Sequence, residues 1–150
     1  MMQQESGYLE KKWRQMQRIF PYTKQSLYKW IPLYCQQLQL KNTQLVEEKT
    51  QQLLKKFESD WTALSHLPQA VVMGAISVVL ATHLLKRKPK PNEFKRWALI
   101  SQTGHRGLLK VHQSIMTYLY EAAIQKIHFK DLQQKQIYEY GTDVFVDCLS

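Results

Sequence analysis

A chain of 150 residues that is 44% apolar and carries 21 Lys and Arg against 12 Asp and Glu has a formal charge of +9. The apolar share excludes wholesale disorder, the length suits one domain able to bury about two-thirds of its unfolded surface, and only five glycines and five prolines argue against a turn-rich β protein. The charge says nothing about fold but draws the chain toward polyanions, whether nucleic acid, anionic membrane or acidic protein.

The first predicted element is GYLEKKWRQMQRIF, where Leu9, Trp13, Met16 and Phe20 recur at helical spacing and Pro21 ends the helix. Lys11, Lys12, Arg14 and Arg18 surround Trp13 and form a candidate secondary basic face. In the next apolar segment Pro32 starts or kinks a helix. Tyr22, Tyr28, Trp30 and Tyr34 alternate there with Lys24 and Lys29; such interleaving suits base stacking beside phosphate contacts, although core packing claims most such rings. Asn42 and Thr43 offer caps to a helix whose stripe is Val46, Thr50, Leu53 and Phe57. Ser59 and Asp60 can cap a short helix over WTALSHL.

Pro68 suits the first turn of an apolar helix, residues 68–87. Its run from Leu67 to Leu85 has the length of a membrane span. Pro68, Gln69, Ser77, Thr82 and His83 interrupt it, however, and no second span accompanies it. A buried central helix is therefore expected, and no membrane. Gly74, Ala75 and Ser77 would let neighbours approach closely.

The sequence KRKPKPNEFKRW follows, the densest charge in the chain. Pro89 and Pro91 forbid helix there and favour a stiff, extended path. Lysines after a helix also complement its dipole, which is reason enough for Lys86 to Lys88. It is no reason for the charge to continue. Residues 86–110 nevertheless hold eight Lys or Arg and one Glu, whereas residues 111–150 hold three Lys and five carboxylates. Lys86, Arg87, Lys88, Lys90, Lys95, Arg96, Arg106 and Lys110 are accordingly the candidate nucleic-acid-binding residues, contacting phosphate.

Asn92 can cap a helix through Gln102, with Phe94, Trp97, Ala98 and Ile100 available for packing. Thr103 to Gly107 then turn the chain. The GHRG motif, residues 104–107, resembles the GXXG loop of KH domains, which implies a backbone clamp or anion nest with Arg106 as its fork; the strands of a KH domain are not offered, and a plain helix–helix turn is the alternative reading. A long helix follows, with Leu108, Val111, Ile115, Leu119, Ala122 and Ile127 inward. The tail, IYEYGTDVFVDCLS, suits either a small hairpin or continued helix.

Catalytic patterns are missing. The five histidines, His66, His83, His105, His112 and His128, match no metal-binding spacing. His105 and His112 are seven apart, but Gly107 threatens the helix between them. His83 reads as a core histidine. With no phosphate loop of the Walker or Rossmann kind, no enzyme, cofactor or metal is expected. Cys35 and Cys148 make no CxxC, and MMQQESGYLEKKW has no apolar leader, so free thiols in a reducing, cytoplasmic setting are expected.

These elements predict an all-α fold, a compact bundle of five to seven helices around the apolar helix, with residues 1–150 as one domain. In size, charge, helicity and segregated basic residues the chain resembles the small subunit of CRISPR interference complexes. That resemblance implies a helical bundle repeated along a ribonucleoprotein filament, cradling single strand through Lys and Arg. FinO-like RNA chaperones share the basic, helical character but have arginine motifs not evident here. The expected function is a non-enzymatic subunit of a larger complex that contacts the backbone of single-stranded DNA or RNA. The alternative is an assembly subunit whose basic face docks on an acidic protein.

Overall fold

The computed structural model describes residues 27–58, 61–65, 67–127 and 133–146. The expected secondary basic face, Lys11, Lys12, Arg14 and Arg18, lies outside them, as do Ser59, Asp60 and Cys148. The described elements are α1 (Trp30–Gln37), α2 (Thr43–Lys56), α3 (Trp61–Leu64), α4 (Pro68–Val79) continued by a π-helical turn (Leu80–Leu85), α5 (Pro91–Ser101), α6 (His105–Ile127), α7 (Gln134–Tyr140) and α8 (Asp143–Val146). No strand occurs among the described residues, so the described part of the tail, through residue 146, is helical rather than a hairpin. Gly141, at φ +86°, breaks it between α7 and α8.

Apolar periodicity explains most of this. On α2, Val46, Thr50, Leu53 and Phe57 are all buried, and the Asn42 side chain accepts the Leu45 N–H at 3.4 Å as an N-cap. Pro32 stands in the first turn of α1, just after a turn at Lys29 whose backbone is itself helical (φ −62°, ψ −29°). Tyr34 is buried and Tyr28 and Trp30 are half-buried, so these rings serve packing. Trp61 donates its indole N–H to the Leu54 carbonyl at 2.9 Å and fastens α3 to the end of α2.

The apolar helix is the axle. Every residue of α4 except Gln69 is buried, and it packs against α1, α2, α5 and α6. By length and composition Pro68–Leu85 has the character of a membrane span, yet 78% of it is buried inside the fold, the position of a core helix. A Cβ on Gly74 would overlap the Val111 side chain of α6, so glycine sets how closely these two helices approach.

Two boundaries differ from expectation, each for a local reason. The central helix ends at Leu85, not residue 87. Thr82 turns its hydroxyl onto the Val78 carbonyl at 2.7 Å, competing with the backbone ladder where the helix widens into its π turn. Lys86 then adopts the left-handed region (φ 57°, ψ 29°) and caps the end. Likewise Asn92 is not the cap of α5. Pro91 takes the first helical position, where its fixed φ is favourable and its missing N–H is not needed. The Glu93 carboxylate accepts the Lys90 N–H at 2.7 Å instead.

Candidate nucleic-acid interface

The connector between the π turn and α5 is held, not loose. Pro89 is buried while Lys86, Arg87, Lys88 and Lys90 are exposed. Lys90 has φ −77° and ψ 158°, close to polyproline II as the prolines predict. Arg87 grips Glu93 through two parallel hydrogen bonds of 2.7 and 3.2 Å and also donates to the Lys88 carbonyl at 3.2 Å. Those bonds from Arg87 are the main cause holding the Glu93 carboxyl below its ordinary range. Glu93 thus ties both ends of the connector, and Arg87 spends its fork on a carboxylate. Lys86, Lys88 and Lys90 have no ion pair among the described residues.

Beside the connector opens a cleft of about 530 Å³, lined by Lys86, Arg87 and Lys88 of the connector, Gln113, Met116 and Thr117 of α6, and Lys135, Tyr138 and Glu139 of α7. A shallower depression lined by Lys110, Gln113, Ser114, Thr117, Tyr118 and Glu121 adjoins it through the shared Gln113 and Thr117. Arg106, Lys110, Gln113 and Thr117 are all exposed and fall at i, i+4, i+7 and i+11 of α6. That spacing puts them along one face of the helix, about 16 Å from first to last. Arg106 and Lys110 therefore lead along α6 toward the cleft that Lys86 and Lys88 overlook. Lys95 and Arg96 are also exposed, on the outward face of α5, but line neither depression.

The GHRG segment is not a nest loop. His105 already begins α6, and the helix runs unbroken through Gly107. Neither Gly104 nor Gly107 has a positive φ; the left-handed residue of this turn is Gln102, at φ 55°. A Cβ at either glycine would meet nothing within 4 Å. Arg106 simply projects from the first turn of α6.

Beneath the cleft lies a buried polar chain that residue spacing did not single out. The Ser77 hydroxyl donates to the Gly74 carbonyl at 2.6 Å, using its one hydrogen. His112 Nδ1 lies 2.7 Å from Ser77 Oγ and must therefore carry the donated proton. That leaves Nε2 to accept the Tyr138 hydroxyl at 2.9 Å. Phe94 sits edge-on to the imidazole, centroids 5.0 Å apart. Burial, with Lys88 acting in the same direction, pulls the His112 pKa down to about 3, and burial pushes Tyr138 up to about 12. A Ser–His pair invites a catalytic reading, but both side chains are fully buried and the serine proton points at a backbone carbonyl. The chain is structural and fixes Tyr138, hence α7, against α6. Its signal in the sequence was available: His112 falls four residues after Leu108, on the inward face.

His83 is half-buried, with Nε2 2.7 Å from Thr142 Oγ1 and 3.9 Å from Asp143 Oδ1; the same Asp143 oxygen meets Lys49 at 2.9 Å. Burial lowers the His83 pKa, with Asp143 opposing. No group of three or more metal-ligating side chains occurs among the described residues. His105 and His112 do share α6, two turns apart, but Phe94 stands edge-on to both rings. Cys35 is a free, buried thiol, driven up to about 12 by burial and by Glu47.

No family model, curated protein or solved structure matches this chain.

Proposed function

We propose that the protein is a non-enzymatic, cytoplasmic binding subunit that holds single-stranded nucleic acid by its phosphate backbone along the α6 face and the adjoining cleft. The observation that carries this reading is the convergence of exposed, unpaired cations from three separate parts of the chain on one continuous surface: Lys86 and Lys88, Arg106 and Lys110, and Lys135. Backbone contact is favoured by the side chains, since lysines dominate the cleft lining; the exposed ring of Tyr118 in the adjoining depression can stack a base without reading its identity. The CRISPR small-subunit resemblance rests on size, charge and helicity alone, and the proposal does not depend on it.

The test is oligonucleotide binding over a salt series. Each lost phosphate contact on a single strand flattens the slope of log K against log salt by about 0.7. Lys86→Ala/Lys88→Ala should flatten it by about 1.4, equally for unrelated sequences. Arg87 is left intact in this variant because it holds the connector. Unchanged slope and affinity would return KRKPKP to a solvated connector.

A second role attaches to the outward face of α5. Leu99 is 80% exposed, one turn from Lys95 and Arg96, a composition suited to contact with an acidic protein subunit. Native co-purification that survives nuclease and fails in Lys95→Ala/Arg96→Ala/Leu99→Ala would establish that contact; identical co-purifying chains would remove it.

A further inference from the structure

We infer that the cleft between the connector and α7 is a subsite for a phosphate monoester, specifically the phosphorylated end of a strand; this rests on the strand-binding reading above. Charge is the first reason. Of the four cations lining the cleft, Arg87 is neutralised by Glu93, leaving the ammonium groups of Lys86, Lys88 and Lys135 against one carboxylate, Glu139. The net charge of about two matches a monoester, which carries roughly −1.5 to −2 at neutral pH because its second pKa is near 6. A backbone diester carries a single charge and needs no such concentration. Glu139 lines the same cleft, and its carboxylate would repel the next phosphate of a strand that continued through. A strand that ends in the cleft avoids that repulsion.

Rigidity is the second reason. The lysines sit on two walls that are fixed independently. The connector wall is held by buried Pro89 and the Arg87–Glu93 clamp. The α7 wall is held by the Tyr138 hydroxyl on buried His112. Walls held apart in this way place their cations before any ligand arrives, which lowers the ordering cost of binding. Size is the third: a cleft of about 530 Å³ falls in the range that takes a ligand of nucleotide size. Lys135 becomes a ligand-binding residue on this account, from a segment that otherwise carries more acid than base.

The experiment compares short single strands of one sequence bearing a 5′-phosphate, a 3′-phosphate or only hydroxyl ends. At about pH 7.5 one phosphorylated end should bind about tenfold tighter than the hydroxyl-ended strand, a difference of about 1.4 kcal/mol. The preference should shrink at about pH 5, where the monoester loses its second charge. Lys135→Ala should abolish the preference, weakening the phosphorylated strand about tenfold more than the hydroxyl-ended strand, which keeps Lys86, Lys88, Arg106 and Lys110. Adenosine monophosphate should compete only weakly. Equal wild-type affinity for all three strands, or a preference intact in Lys135→Ala, overturns the subsite but leaves strand binding standing. Competition by the mononucleotide as strong as by the phosphorylated strand assigns the cleft to free nucleotide and overturns the strand end. Failure of every strand to bind at physiological salt is the distinct result that removes the underlying reading.

Discussion

Two residues separate stability from binding. Lys86 carries a charge over the cleft and a left-handed backbone under it. Glycine at this position relieves the strain and deletes the charge, so Lys86→Gly should raise the melting temperature while lowering oligonucleotide affinity. Lys86→Ala should lower affinity equally without the gain in stability. Thermal melts beside binding curves check both, and a Lys86→Gly protein no more stable than Lys86→Ala would show that the cap is not strained. His112 works in the opposite sense, buried and out of reach of solvent. Its pKa is depressed to about 3 by burial and by Lys88, so the unfolded chain, with an ordinary histidine, binds more protons. Its contribution is thus whole above about pH 6.5 and is lost as pH falls toward 3, at up to about 1.4 kcal/mol per unit. Denaturant melts at several pH values should show this loss, reinforced by His83 with the same direction of shift. His112→Leu should melt at a lower temperature at neutral pH, since Tyr138 loses its acceptor, but with a weaker acid dependence.

At the scale of elements, the glycines of α4 and α6 look alike in sequence and behave differently. A Cβ on Gly74 meets the Val111 side chain, whereas one on Gly107 meets nothing and the backbone there is ordinary. Gly74→Ala should therefore destabilise by about 1–3 kcal/mol through overpacking. Gly107→Ala should stabilise by up to about 1 kcal/mol. Melting of the two variants checks the pair together. Ile76→Asp, placing a carboxylate at a fully buried point of α4, should abolish the cooperative transition, since burying an unpaired charge costs several kcal/mol against a total of roughly 5–15. The central helix and the inward faces of α2, α5 and α6 were legible because burial imposes a period that side-chain type records. GHRG is ambiguous in sequence because a glycine pair signals permission for a turn without requiring one; the left-handed residue of this turn is Gln102. Arg87 was counted among the free cations because nothing in spacing pairs residues six apart across two prolines. Lys135 and Gln113 were passed over because only tertiary packing brings α7 back to the connector. Periodicity reports which face is inside, and it does not report which exposed faces meet.

For the whole molecule, the question is whether net charge or its placement does the binding. The chain carries +9, and long-range attraction to a polyanion responds to that total wherever the charges sit, within the reach of about 10 Å that salt allows at 0.1 M. Direct phosphate contact responds only to cations that reach the strand. Two double variants separate these. Lys86→Ala/Lys88→Ala and Lys95→Ala/Arg96→Ala each remove two exposed positive charges and each leave +7. The first pair lines the cleft and the second stands on the outward face of α5. If placement governs, the first variant loses about 1.4 from the salt slope, and the second keeps the wild-type slope with only a slower association at low salt. Arg106→Ala/Lys110→Ala should then behave like the first pair, because the α6 face is part of the same surface. Affinity measured across salt for all three, with stopped-flow association rates at the lowest salt, makes the comparison complete. Equal losses in all three variants would mean that the protein attracts nucleic acid as a diffuse positive body. The cleft, the fixed connector and the lysine at its left-handed cap would then have no part in binding.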